Sequence, residues 1–328
     1  MSKIRVDIGL NTCCFTRRWV RPENWLKLSK NAGYDYVQID SDALDPFFSG
    51  DREYQLAAAR TLKDLAKEQE LTLTGYYTGM ASYRFHGLSH EDKSVRERMK
   101  QWVVDSMDIT LAMGAKKVGG RVDAYSVETL SDPGRYKERL ADTIAAYREL
   151  SCIGKEKGLE ALEVEQMYVP SLAPYTIVQT EQYLEAMNKE NEGCRLGVTV
   201  DIGHCASQNY GGSGKDLLYE EWLKNFGAVC EEIHIQQTRR TSSSHWPFTK
   251  KYNEMGDIQV EHILEALRWS HENYEKQNWS KYLAPVKKNI LILEYLPGTT
   301  ETEEEILANI GESARYLRRY IPAHGVLL

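Results

Sequence analysis

The chain has 328 residues, of which 42% are hydrophobic and 27% are charged. These proportions are typical of an ordinary folded protein and exclude disordered, collagen-like and low-complexity chains. The net charge is −7, from 41 Lys and Arg against 48 Asp and Glu. This balance argues against a protein that binds nucleic acid, because such proteins usually carry a basic surface.

The sequence shows no sign of a signal peptide or a membrane-spanning segment. The N-terminus lacks an apolar segment of signal-peptide length, and no run of apolar residues is long enough to cross a bilayer. The six cysteines form no Cys-x-x-Cys pair and no zinc-finger spacing, which is typical of reduced thiols. We therefore expect a cytoplasmic protein without a membrane span.

Short β-rich segments alternate with long amphipathic segments eight times along the chain. The predicted strands cover residues 4–11, 36–40, 71–77, 116–121, 160–167, 195–201, 230–237 and 289–295. The predicted helices cover about 22–33, 53–69, 91–113, 135–157, 180–188, 215–226, a segment from about 258, and 301–320. Proline in the first turn and glycine after the last turn, as at Pro22 and Gly33, mark helix ends.

Strands that alternate with helices pair in parallel through right-handed crossovers. Eight such units close naturally into a barrel, so we predict a single (β/α)8 TIM barrel that forms one domain over residues 1–328. A doubly wound open sheet is the alternative, but no Gly-x-Gly-x-x-Gly turn follows an early strand. The long loop at 238–257 is predicted to lie over the carboxyl ends of the strands.

Four consecutive predicted strands each carry a potential metal ligand near their carboxyl ends: Glu165, Asp201, His234 and Glu294. Burying a charge so close to a strand of the core costs roughly several kcal/mol of desolvation free energy, unless the charge is paired or bound to a cation. Three carboxylates and one imidazole favour Mn²⁺, with Mg²⁺, Co²⁺ or Zn²⁺ as alternatives. Glu163 shares a strand face with Glu165, and Glu165 is preferred because it lies nearer the carboxyl end.

This arrangement resembles the xylose isomerase-like TIM-barrel superfamily, which holds sugar isomerases, ketose 3-epimerases and the endonuclease IV group. The strings IHIQQT, HWPFT and EQMYVPSLAPYT are similar to the tetrulose-phosphate 3-epimerases of erythritol catabolism. The resemblance implies one divalent metal ion on the four ligands and a substrate contact at His204. Arg240 matches the position of an arginine six residues after the strand-seven histidine of ketose epimerases. Gln236, which shares a face with His234, and His245 are further candidates for hydroxyl recognition.

We therefore expect a metal-dependent sugar epimerase or isomerase that acts on a short-chain ketose or ketose phosphate. Removal of the proton beside the carbonyl would give an enediolate that the cation stabilises. Glu165 and Glu294 are the expected catalytic bases, one on each face of the substrate. The candidate cations for a phosphate group are Arg17, Arg18, Arg121, Arg239 and Arg240.

Three other functions fit parts of the same pattern. A decarboxylase of a branched oxo-acid sugar, such as 3-oxo-isoapionate, would use the same cation but only one proton donor. A metal-dependent hydrolase of the endonuclease IV type would need further His and Asp ligands and a groove for DNA. A non-catalytic sugar-binding barrel would bind without turnover. The content of 20 tyrosines and seven tryptophans leaves room for a homo-oligomer interface.

Overall fold

The computed structural model describes residues 3–328. Eight parallel strands form a sheet that curves into a barrel, in the order β6-β5-β4-β3-β2-β1-β8-β7. The strands are β1 (Arg5–Asn11), β2 (Tyr36–Asp40), β3 (Thr72–Tyr77), β4 (Lys117–Gly120), β5 (Ala161–Glu165), β6 (Arg195–Thr199), β7 (Glu232–Ile235) and β8 (Lys288–Leu293). The prediction of a (β/α)8 barrel is therefore confirmed.

The barrel closes between β7 and the residues that directly follow β6. The amide of His234 donates a hydrogen bond to the carbonyl of Val200 at 2.9 Å, and the amide of Ile202 donates to the carbonyl of His234 at 3.1 Å. Asp201 and His234 thus form a parallel bridge. Because two predicted metal ligands lie at this closure, the pairing that completes the barrel also fixes their separation.

A ring of helices surrounds the strands. The helices are α1 (Pro22–Ala32), α2 (Arg52–Glu68), α3 (Met80–Tyr83), α4 (Lys93–Ala112), α5 (Val127–Leu130), α6 (Pro133–Lys157), α7 (Ile177–Asn188), α8 (Tyr219–Phe226), α9 (Lys250–Met255), α10 (Val260–Glu272) and α11 (Glu303–Leu317). The short helices α3, α5 and α9 lie in the loops after β3, β4 and β7 and are not predicted from sequence. None of the helices in the range 3–328 is long and apolar enough to cross a bilayer.

Local capping explains where the helices begin and end. The side chain of Asp132 accepts hydrogen bonds from the amides of Gly134 and Arg135, and Pro133 occupies the first turn of α6. This cap starts the helix two residues before the predicted position. At the other end, Gly158 adopts a left-handed φ of 98°, which costs glycine little and terminates the helix.

A short additional strand extends the sheet beside the first residues of β1. A ninth strand, β9 (Val326–Leu327), pairs in antiparallel fashion with the start of β1. Two residues carry no periodic signal, so the sequence does not predict this strand. Apolar side chains such as Leu62, Trp102 and Trp222 pack between the strands and the helices to form the core.

Candidate active site

The four predicted metal ligands meet at the carboxyl end of the barrel. Glu165 is the last residue of β5, Asp201 follows β6, His234 lies in β7, and Glu294 follows β8. One ligand atom from each lies within 4.8 Å of the others. Nδ1 of His234 is 2.9 Å from Oε1 of Glu165 and 3.4 Å from Oε2 of Glu294. Ligands on opposite sides of an ion the size of Mg²⁺ lie about 4 Å apart, so the spacing is close to that which a single ion needs.

The electrostatics of the cluster also fit a divalent cation. Burial lowers the pKa of His234, but Glu294 and Glu165 more than offset this and hold the pKa well above its usual value. Burial raises the pKa of Glu294, but the His234 charge outweighs that effect and lowers the pKa overall. The raised pKa of His234 reports a strongly negative potential where the carboxylates meet, and the lowered pKa of Glu294 reports its attraction to the positive charge of His234. A cation would neutralise that potential and use the imidazole nitrogen as a fourth ligand.

The imidazole of His234 is fixed from its other side by Gln38 of β2. Nε2 of His234 lies 2.8 Å from Oε1 of Gln38, and the same oxygen accepts a hydrogen bond from Nδ2 of Asn11 at 2.6 Å. Nε2 of Gln38 donates to Oε2 of Glu232 at 2.6 Å. These contacts set the orientation of the amide, so that Nε2 of His234 is the donor in this pair. Nδ1 is therefore left facing the carboxylates as a potential ligand.

Asp201 is held by three neighbouring groups. The amide of Gly203 donates to Oδ1 at 2.6 Å, and Nε2 of Gln236 lies 2.9 Å and 3.1 Å from the two carboxylate oxygens. The amide of Asp201 itself donates to Oε1 of Gln166 at 3.0 Å. Gln236 therefore supports a ligand of the cluster, and its predicted contact with a substrate hydroxyl stays a prediction.

His204 and His245 face the same space as the four ligands. Nδ1 of His204 lies 2.9 Å from the carbonyl of Gln166, which leaves Nε2 at 3.7 Å from Oδ2 of Asp201. Nδ1 of His245 is 3.4 Å from Oε2 of Glu294. His245 adopts a left-handed φ of 47°, a conformation that costs a non-glycine residue about 1–2 kcal/mol. Such strain is found where a fold holds a side chain in a functional position.

Arg240 is not brought to this cluster. Its guanidinium makes two hydrogen bonds to the carboxylate of Glu220, at 2.6 Å and 3.0 Å, and lies over the ring of Tyr219. Arg121 is fully buried and paired with Asp123 at 3.0 Å. Each guanidinium therefore already has an anionic partner within the protein.

A cavity of about 160 Å³ opens beside the cluster and is called the metal-site cavity below. Its lining includes four of the residues that the sequence predicts for the site, namely Glu165, Glu294, His204 and His245. The other lining residues, which the sequence reasoning missed, are Cys13, Asp40, Thr78, Gly79, Met80, Tyr83, Met167, Tyr168, Ser243 and Leu296. Most of these lie in loops, where no periodic pattern marks a residue that turns towards the site.

Glu163 lies apart from the cluster although it shares a strand face with Glu165. Its carboxyl oxygen Oε2 has no hydrogen-bond partner among the described residues, and burial raises its pKa to about 8. Glu165, rather than Glu163, is thus the residue that joins the other three ligands. Gln38 is a supporting residue that the sequence reasoning missed, and its polar side chain between Val37 and Ile39 of a strand is a signal that marks it.

Comparison with known proteins places this geometry in a family. The model of the Xylose isomerase-like TIM barrel family matches residues 26–320. The chain belongs to this family. The predicted superfamily resemblance is therefore confirmed.

The individual relatives are distant. The chain is 23% identical over 265 residues to D-erythrulose 1-phosphate 3-epimerase of Brucella abortus (strain 2308), with 80% of this chain and 83% of that protein covered. A Rhodospirillum rubrum protein provisionally named a xylose isomerase superposes with a TM-score of 0.83 at 21% identity, covering 96% of this chain and 99% of that one. D-psicose 3-epimerase of Clostridium cellulolyticum H10 superposes with a TM-score of 0.67 at 15% identity, covering 96% and 98%. At these identities the two structures support the fold.

Proposed function

We propose that this protein is a divalent-metal-dependent epimerase that inverts carbon 3 of a short-chain ketose or ketose phosphate of the tetrulose-phosphate type. The observation that carries the proposal is the convergence of Glu165, Asp201, His234 and Glu294, whose ligand atoms lie within 4.8 Å of one another. The similarity to D-erythrulose 1-phosphate 3-epimerase supports the choice of substrate. Mn²⁺ is the expected ion because the donor set has three carboxylates and one imidazole.

Epimerisation beside a carbonyl removes a weakly acidic proton from one face of carbon 3 and returns a proton to the other face. A bound divalent cation would polarise the carbonyl and stabilise the negative charge that develops on its oxygen. Glu165 and Glu294 both line the metal-site cavity. They come from β5 and from the end of β8, which β6 and β7 separate. Carboxylates that approach from two directions suit removal of the proton by one and its return by the other.

The neighbouring histidines are the proposed contacts for sugar hydroxyls. Nδ1 of His204 is occupied by the carbonyl of Gln166, so Nε2 is the atom that can face substrate. His245 lies across from it, with ring centroids 5.7 Å apart. Gln236 would act through Asp201 and His245, and Arg240 would reach a substrate only by leaving Glu220.

Proton exchange tests the proposal directly. The Mn²⁺-loaded protein is incubated in D₂O with erythrulose, its phosphates and a small panel of ketoses, and the carbon 3 proton is followed by NMR. We expect the signal to disappear with the wild-type protein, and to persist after chelation and in the variants Glu165→Gln and Glu294→Gln.

Glu163→Gln is the matched control, because it makes the same change on the same strand, outside the ligand set. It is expected to exchange the proton as the wild type does. If no ketose loses its proton, or if both active-site variants exchange it as fast as the control, the epimerase proposal is wrong. Release of CO₂ from an oxo-acid sugar in place of exchange would support the decarboxylase alternative.

A further inference from the structure

The five arginines that the sequence offers as phosphate ligands differ sharply in their surroundings. Arg121 and Arg240 are paired with Asp123 and Glu220, as described above. Nε of Arg239 lies 3.4 Å from the carbonyl of Met255. Within residues 3–328, the side chain of Arg17 makes no hydrogen bond or ion pair. Arg17 is therefore the predicted cation that is most available to an external anion.

Arg17 lies in a second depression, called the arginine pocket below, with a volume of about 370 Å³. The lining residues are Cys13, Cys14, Thr16, Arg17, Arg18, Asp42, Met80, Arg84, Leu296 and Pro297. Cys13, Met80 and Leu296 also line the metal-site cavity. The two spaces are therefore adjacent and share these three lining residues.

The two spaces differ in charge. The lining of the metal-site cavity contains Asp40, Glu165 and Glu294 and, among the described residues, neither Lys nor Arg. The arginine pocket contains three guanidinium groups and a single carboxylate. Consider a substrate whose sugar carbons lie at the carboxylate cluster. The carboxylates of the metal-site cavity would repel an anionic group on that substrate, and the guanidinium groups of the arginine pocket would attract it.

Some charged groups of the arginine pocket already have a partner within the protein, and others have none among the described residues. Arg18 is paired with Glu303 at 2.8 Å. Oδ1 of Asp42 accepts a hydrogen bond from the amide of Ala81 at 3.1 Å, which ties this carboxylate to the start of α3. The side chains of Arg17 and Arg84 have no partner in the part of the chain that the structure describes, and both residues are exposed. Two guanidiniums therefore remain to bind an anion.

The backbone at Arg17 is strained, with a φ of 64°. A left-handed conformation at a non-glycine residue costs about 1–2 kcal/mol and persists only where the surrounding structure fixes it. Here the amides of Arg18 and Trp19 both donate to the carbonyl of Phe15, at 3.1 Å each. These contacts hold the sharp turn that places consecutive arginines beside the lining residues that the two spaces share.

We propose that Arg17 and Arg84, with Arg18 beside them, form an anion subsite for the phosphate of a phosphorylated ketose whose sugar carbons lie in the metal-site cavity. Guanidinium groups suit this role because their planar N–H donors match phosphate oxygens. This inference rests on the proposed function and narrows its substrate to the phosphorylated form.

Kinetics with two substrates test the subsite. The variants Arg17→Gln and Arg84→Gln are compared with the wild type on erythrulose phosphate and on erythrulose, by carbon 3 proton exchange in D₂O. Each is expected to lower kcat/KM for the phosphate by about tenfold to a hundredfold, the effect of losing a hydrogen bond to a charged group. The value for erythrulose should stay within about twofold, because nothing in that substrate reaches the pocket. Arg17→Lys should recover part of the loss, since it restores the charge without the planar donors.

Arg60→Gln on α2 is the matched control, because Arg60 is exposed and its loss changes the net charge equally. It should leave both substrates unaffected. If the pocket variants behave like this control, or if they lower kcat/KM equally for both substrates, the proposal of an anion subsite is wrong. Neither result contradicts the proposed epimerase activity.

Binding of inorganic phosphate to the metal-free protein, followed by ³¹P NMR, separates the two proposals. Binding that both pocket variants abolish supports the subsite even if no ketose exchanges its proton and the epimerase proposal fails. Phosphate binding that survives in both variants contradicts the subsite.

Discussion

The contact between Gln38 and His234 offers a test of how this barrel positions the histidine of its proposed metal centre. Gln38→Met keeps the volume of the side chain but removes both its acceptor and its donor. Nε2 of His234 and Nδ2 of Asn11 then lose the oxygen that they contact at 2.8 Å and 2.6 Å. Oε2 of Glu232 loses one donor but keeps the hydroxyl of Thr74 at 2.9 Å.

Two effects of different size follow from these losses. Each buried donor that is left without a partner costs about 1–3 kcal/mol, so we expect the loss of two such contacts to lower the free energy of unfolding by about 2–6 kcal/mol. Without its acceptor, the imidazole of His234 is no longer held with Nδ1 towards the carboxylates. Loss of such a partner of a metal ligand typically lowers metal affinity by about 10–100-fold, which is the second expected result.

Gln55→Met is the matched control for stability. Gln55 is also a buried amide, and its Nε2 donates to the carbonyl of Pro46 at 2.8 Å, far along the chain from the ligands. It should lower stability in urea without changing the affinity for Mn²⁺ measured by calorimetry. If Gln38→Met binds Mn²⁺ as tightly as Gln55→Met does, Gln38 does not position His234 and the reasoning is refuted.

Three further predictions concern the other supporting contacts. Arg240→Gln should lower the free energy of unfolding by about 0.5–1 kcal/mol at neutral pH and leave kcat/KM nearly unchanged. Burial raises the pKa of Glu220, but the hydrogen bonds from Arg240 outweigh it and lower the pKa. The contribution of the pair to stability is therefore present above the ordinary glutamate pKa and is lost as the pH falls through the folded-state pKa. In urea titrations, Arg240→Gln should therefore lower the free energy of unfolding more at about pH 7 than at about pH 3. Equal destabilisation at both pH values would contradict this prediction. Mn²⁺ at about 100 times its Kd should raise the free energy of unfolding by about 2.7 kcal/mol, which a rise in Tm would measure. If Mn²⁺ raised the Tm of Asp201→Asn by the same amount, the proposed ligand set would be wrong. Gly203→Ala would place a Cβ 2.3 Å from Cδ of Gln236 and displace the side-chain amide of Gln236 from Asp201. Calorimetry should then show Mn²⁺ binding that is about tenfold weaker. Unchanged binding would show that Gln236 is not needed to hold Asp201.

Local patterns in the sequence were sufficient for the architecture. Apolar strand segments such as 289–295 and helix signals such as Pro22 and Gly33 act over a few residues, so they are legible without tertiary contacts. The same holds for the positions of the four proposed ligands, because the carboxyl ends of parallel barrel strands must meet at one face. Once the strands were recognised, Glu165 and Glu294 had to lie near one another.

Contacts between residues far apart in the chain depended on the packing of loops and strands. Gln38 and His234 are separated by 196 positions, and nothing in either segment identifies the other. The pairing of Arg240 with Glu220 likewise has no signal in the sequence, because a partly exposed guanidinium binds whichever carboxylate the folded loops bring to it.

The sequence by itself therefore determined the barrel and the positions of the four proposed metal ligands, since both follow from short-range periodicity and the closure of parallel strands. The tertiary structure alone decided which polar groups hold those ligands and which arginines remain free beside the cavity. Hydrogen bonds and ion pairs act over a few ångströms, so they depend on side-chain positions that only the complete fold sets.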